Sequence, residues 1–247
     1  MTFPTDILRA LKAAADPAVR KSYEWYFKGQ LPFIGVRTPR VREIFRVTLS
    51  EQGDYLVDKA IADAFTLLQS PAAEQKHVGI LLLHRYRREL PTDFLRRLEP
   101  VFDASVHEWG TCDGLCSRVL RHLLLRSAAD LRRIVGWSRS GNQWRQRAAA
   151  VAFVNEARHG RHTAEILEVC ERTVKNPARF VQLGTGWALR ELWLAEPRKV
   201  KAFLRDHYPH FSREGLRYAI EKMPPAQQRT HLDEHAQTRR KRDPRAP

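Results

Sequence analysis

The chain has 247 residues, with 43 Lys and Arg against 28 Asp and Glu, a formal charge of +15. An excess of that size makes a polyanion the default partner, and because Arg carries most of it, phosphate is the favoured anion. No apolar run approaches the ~18 residues that a bilayer span needs, so no membrane is expected.

The first residues mix acids and bases instead of following a leader-peptide pattern. Cys112, Cys116 and Cys170 are too few for a disulfide scaffold, so an intracellular, reduced protein is expected. Strand signals are nearly absent. Apolar residues recur at three and four and predict helices over 4–15, 40–49, 55–69, 73–89, 92–104, 112–126, 128–138, 142–155, 163–174, 177–194, 197–208 and 212–222. Asp16-Pro17, Ser70-Pro71, Leu90-Pro91, Ser140-Gly141, Asn176-Pro177 and Glu196-Pro197 separate them. The expected fold is all-α, one domain over 1–223. The segment 224–247, ending in a run of basic residues, is expected to be a disordered polyanion arm.

Several positions carry chemistry. The stretch 33–40 runs apolar, then glycine, then basic into a helix. Thr38 is expected to cap that helix, with Arg37 and Arg40 flanking an anion site at its N-terminus. Trp109 and Asp113 lie four apart, so they share one helix face. A carboxylate beside an aromatic plate suits a substrate that is cationic or becomes so in the transition state. Cys112 and Cys116 share a helix face, but no further Cys or His stands at a zinc-finger spacing, and no metal or cofactor is expected. Trp109, Arg147 and Trp187 are spaced by 38 and 40 residues, a period that fits HEAT or armadillo helix pairs and would line the three along one surface. Arg121, Arg126, Arg132 and Arg133 read as a solvated basic surface, and His107, His122, His159, His162, His207 and His210 as surface or packing residues.

Four segments in this order, YEWYFKGQLPFIGVRTPRVREI, EWGTCDGLCSRVL, NQWRQRAAAVAFV and ARFVQLGTGWALRELWLAEP, resemble the AlkD-like DNA alkylation repair glycosylases. The resemblance runs from about Tyr23 to Met223. It implies a HEAT-like helical-repeat solenoid with a concave basic face. It also implies hydrolysis of the N-glycosidic bond of cationic N3- and N7-alkylpurines in duplex DNA, with the lesion left stacked where other base-modifying enzymes flip it. It assigns the catalytic carboxylate to Asp113, the two sugar-contacting tryptophans to Trp109 and Trp187, and a phosphate contact to Arg147. It places an aromatic of the cleft at Tyr26, with Phe27 the neighbouring alternative. Arg37, Arg40 and Arg190 join the expected DNA contacts. Gly110 stands where the family often has an acid, and a looser helix entry is expected there. No motif sets a Lys beside Asp113 for a Schiff base, so a monofunctional hydrolase is expected, acting as a monomer in the bacterial cytoplasm. The alternatives are a non-catalytic HEAT-repeat DNA-binding protein of the same family and a helical scaffold for an acidic protein partner.

Overall fold

The computed structural model describes residues 2–242. The chain divides into two compact units, one ending at His122 and the other beginning at Leu123. Among the described residues every regular element is helical, and no helix is long and apolar enough to cross a membrane.

The first unit contains α1 (Phe3–Ala13), α2 (Pro17–Tyr26), α3 (Thr38–Ser50), α4 (Val57–Gln69), α5 (Ala73–Arg85), α6 (Phe94–Ser105) and α7 (Trp109–Leu115). α1 buries Phe3, Ile7 and Leu11, one turn apart each, against α3, α4 and α5. Each such side chain stabilises by roughly 1.5–3 kcal/mol, and Ile7→Ala would cost about 2–5 kcal/mol. α5 is buried on nearly every side, with Val78, Ile80, Leu82 and Leu83 in the core, because α3 and α4 flank it and α7 packs on it too. The Lys76 ammonium donates to the carbonyls of Leu68 (2.6 Å) and Ser105 (2.8 Å) near the C-terminal ends of α4 and α6. It thereby satisfies carbonyls that a helix end leaves open.

The second unit contains α9 (Ala128–Gly136), α10 (Gln143–Val151), α11 (Val154–Ala157), α12 (Thr163–Thr173), α13 (Arg179–Leu192), α14 (Pro197–His207), α15 (Arg213–Ile220) and α16 (Pro225–Arg242); α8 (Arg121–Arg126) spans the junction. α13 is the hub and packs on α10, α11, α12, α14 and α15. In both units, successive helices joined by short turns pack on one another, as in helical-repeat proteins.

Four expectations are corrected. A helix that periodicity did not predict, α2, starts at Pro17 with the Asp16 carboxylate accepting from the Ala18 (2.8 Å) and Val19 (3.4 Å) amides. It buries only Val19, so it shows no apolar stripe. Thr38 is not a cap: the helix already includes it, and Arg37 occupies the cap position without a side-chain bond. Arg126 is not solvated, because it pairs with the buried Asp130 at 2.8 Å.

The fourth concerns the tail, because residues 225–242 form α16. Its anchors are polar. The Tyr208 hydroxyl donates to Glu234 (2.8 Å) and is hydrogen-bonded to His231 Nδ1, while His235 Nε2 donates to the Phe211 carbonyl (3.1 Å). Both histidines are buried, and burial holds both below the ordinary imidazole range. A basic composition with no apolar period conceals this packing. The remaining residues of that expected arm, 243–247, lie outside the described residues.

Candidate functional site

In the first unit the site is built on the start of α7. Glu108, buried, is the N-cap: its carboxylate accepts from the amides of Gly110 (2.5 Å) and Thr111 (2.7 Å). It satisfies two orphan amides and sets a negative charge at the positive end of the helix. Trp109 is the first helical residue and Asp113 lies one turn on, both half-buried. The Trp109 ring stacks flat on Phe27 (centroids 4.9 Å apart, planes 10° apart), and Tyr26 meets it at an angle (6.1 Å, 67°). Of the two adjacent aromatics Phe27 therefore carries the stack, while Tyr26 is 61% exposed.

Gly110 closes this corner, contrary to the looser entry expected. A Cβ there would meet Glu108 Oε2 at 2.9 Å and Phe27 Cε1 at 3.1 Å. A side chain at 110 would crowd both the Glu108 cap and the Phe27 ring. Immediately after α7, Cys116–Leu120 form a π-helical turn, which shifts the phase of the following residues relative to Asp113. Such turns concentrate at functional sites, and no period of three or four reveals one.

Beside this corner lies a cavity of about 480 Å³, walled by Tyr23, Phe27 and Phe33, by His77 of α5 and by Gly110 and Thr111 of α7. Its loop wall is held by the buried Glu74. The Glu74 carboxylate accepts from the amides of Ile34 (3.0 Å), Gly35 (2.8 Å) and Val36 (3.0 Å). These three loop amides, which precede the helix end expected to hold an anion, are thus occupied by an internal carboxylate. Arg37 and Arg40 are exposed beyond them, Arg40 in a 2.8 Å pair with Glu43.

In the second unit Arg147 is 5% exposed, and its Nη1 donates to the Phe180 carbonyl at 2.8 Å. α13 reaches α10 at this point through Gly184, where a Cβ would stand 3.1 Å from Arg147 Cγ. Trp187, half-buried, follows one turn later on α13. Arg147 is in mid-helix, Trp187 later in a longer one and Trp109 at a helix start, so the 38- and 40-residue spacings do not mark equivalent helical positions. The Arg190 guanidinium lies 6.0 Å from the Trp187 ring and 4.6 Å from that of Tyr218. It pairs with Glu191 (3.0 Å) and Glu221 (2.6 Å). Glu191, 1% exposed, also receives Arg158 (3.1 Å) and Lys222 (2.7 Å). Burial would raise the Glu191 carboxyl, but hydrogen bonds from Lys222, Arg158 and Arg190 outweigh it and hold the group below the usual carboxylate range.

The sequence reading did not single out Glu108, Glu74, Glu191 or His77. Glu108 had a legible signal, an acid directly before the first helical residue. The others depend on contacts 30 or more residues away or on burial.

The fold and this chemistry define a class: an all-helical repeat protein with an aromatic–carboxylate turn in one unit and a buried arginine beside a tryptophan-bearing helix in the other. The chain belongs to the family described as DNA alkylation repair enzyme, which it matches over residues 7–223. Among solved structures it is similar to a "Predicted DNA alkylation repair enzyme from Enterococcus faecalis", with a TM-score of 0.76 and 16% identity over 85% of this chain and 97% of that one. At that identity the likeness speaks for the fold. No curated protein matches.

Proposed function

We propose that this family member is a monofunctional DNA glycosylase that releases cationic N3- and N7-alkylpurines from duplex DNA, as a monomer in the bacterial cytoplasm and with no cofactor. A HEAT-like solenoid with a concave basic face would cradle the duplex. The observation that carries the reading is the Trp109–Asp113 turn, with the indole held flat on Phe27 and the helix entry fixed by Glu108.

An N3- or N7-alkylated purine already carries a positive charge. When its C1′–N bond breaks, the bonding pair passes to the base and neutralises it, so no general acid is needed. The deoxyribose becomes an oxocarbenium-like cation. Asp113 stabilises that cation and takes the proton of the water that adds to C1′. The faces of Trp109 and Trp187 flank the sugar, where aromatic rings favour positive charge. Arg147, Arg37, Arg40, Arg190 and Tyr26 serve backbone contacts that set the register without reading sequence. The lesion stays stacked. Of these, Arg147 and Arg190 already hold internal partners, so their role includes shaping the surface as well as touching it.

The test is to incubate the protein with duplexes that each carry one lesion and to identify released bases by mass. Release of 3-methyladenine or 7-methylguanine, without uracil or hypoxanthine, is expected. A protein that binds duplex DNA and releases nothing would instead be the non-catalytic relative. Efficient release of uracil would overturn the charge-driven mechanism.

A further inference from the structure

Apart from Tyr26, the residues lining the cavity beside Trp109 are given no part in the reaction just described. Its volume, about 480 Å³, falls in the range of small-molecule sites, about 300–1,000 Å³. Tyr23, Phe27 and Phe33 form a connected aromatic wall, with Tyr23–Phe33 centroids at 5.3 Å and Phe27–Phe33 at 5.1 Å. Trp25 lines it as well, yet is 81% exposed, as is Tyr26 at 61%. Two large aromatics left in water beside an aromatic-walled cavity favour a planar occupant that stacks.

The polar groups narrow the choice. Glu74 and Glu108 belong to the walls, but each accepts backbone amides. His77 is different, because its Nε2 is buried with no hydrogen-bond partner. An orphaned buried polar atom costs about 1–3 kcal/mol. Burial, reinforced by Arg118 and Arg42, pushes the imidazole down to about 4, so it is neutral at pH 7. A neutral imidazole offers one donor and one acceptor. The two nitrogens point in divergent directions, so an occupant of the cavity meets one of them, in a single hydrogen bond that a purine's ring nitrogens or exocyclic amine can complete and a hydrocarbon ring cannot.

Position supplies the rest. Phe27 is both a wall of the cavity and the plate under Trp109, and Gly110 and Thr111 are its neighbours on α7. We propose that this cavity binds the free purine base released by the proposed reaction, so that product occupies a site distinct from the turn carrying Asp113. The inference rests on the glycosylase reading for the origin of the base, whereas binding itself is measured without DNA. Aromatic stacking contributes roughly 1–3 kcal/mol per base and does not depend on which purine is held. A single bond to His77 separates purines from planar rings without a hydrogen-bonding edge.

The test uses the full chain without DNA, titrated with 3-methyladenine, 7-methylguanine or indole and followed by saturation-transfer NMR and calorimetry. Saturable binding of both purines is expected, with indole weaker. Ala73→Phe, which fills the cavity from the α5 end, should weaken purine binding more than tenfold. His77→Ala should weaken it about three- to tenfold and affect indole, which has one N–H and no acceptor, less. Circular dichroism checks that both variants fold. Both should excise alkylated bases at the wild-type initial rate. Absence of purine binding at millimolar concentration, equal affinity for indole, or purine affinity unchanged in folded Ala73→Phe would each overturn the assignment. Failure of the glycosylase reading is a separate result, namely no base release by the wild-type protein.

Discussion

The two units fix their candidate residues by opposite means. In the first, Trp109 is positioned by an aromatic stack on Phe27 and a helix cap from Glu108. In the second, α13 and its Trp187 stand beside a buried ionic network, with one carboxylate, Glu191, receiving Arg158, Arg190 and Lys222. Stacking is short-ranged and barely feels salt, whereas exposed members of an ionic network are screened within a Debye length. The reacting carboxylate is thus expected to be set by packing, and the surface beside Trp187 by electrostatics.

The largest effect should fall on the first unit. Asp113→Asn is expected to lower the single-turnover excision rate on the order of 10²–10³-fold while leaving DNA affinity nearly intact, because one carboxylate carries the charge stabilisation. Near-wild-type rates would show that another group acts.

The second unit should answer with stability. Glu191→Gln leaves three cations facing a neutral amide and is expected to cost about 2–3 kcal/mol in urea unfolding. That is less than a fully buried pair, since Arg158 and Lys222 reach solvent. An unchanged urea midpoint would remove the network from the account.

A milder contrast is expected with pH. His77 is pushed down to about 4 by burial, and burial also lowers His231 and His235. The ordinary value is 6.5. Above it these groups are neutral folded or unfolded, and their contribution is complete. As pH falls through 6.5 the unfolded chain binds protons that the folded chain does not, so stability is lost, for His77 down to about pH 4. Urea midpoints between pH 7.5 and about 4.5 measure this. A His231→Gln, His235→Gln double variant should flatten the slope, and an unchanged slope would show that the α16 anchors do not titrate.

The smallest effect should come from the stack itself. Phe27→Leu keeps an apolar contact but loses the ring pair, worth about 0.5–1.5 kcal/mol, so excision should fall roughly three- to tenfold. Its salt dependence should stay that of the wild type. DNA affinity itself should fall steeply with salt, with a log–log slope of several units. A Phe27→Leu variant that altered this slope would mean that the stack shapes the phosphate contacts as well.

Local pattern determined much of this molecule. Apolar residues at three and four sufficed to predict α1, α4, α12 and α14 to within a few residues, because each lays one stripe on a core. The i,i+4 spacing of Trp109 and Asp113, and the four quoted segments, sufficed to point to the family. Tertiary structure decided what no local pattern encodes. α2 and α16 are held by a cap, by a single buried valine or by polar anchors, so neither shows a stripe. Phe27, not Tyr26, lies flat under Trp109, and a side chain at Gly110 would crowd Phe27 and Glu108. Arg147 and Arg190, read from sequence as hands for phosphate, turn out to be engaged inside their own unit. The physical reason is common to all of these. Helical periodicity is a property of neighbours along the chain, whereas burial, stacking and charge pairing are properties of residues brought together across it.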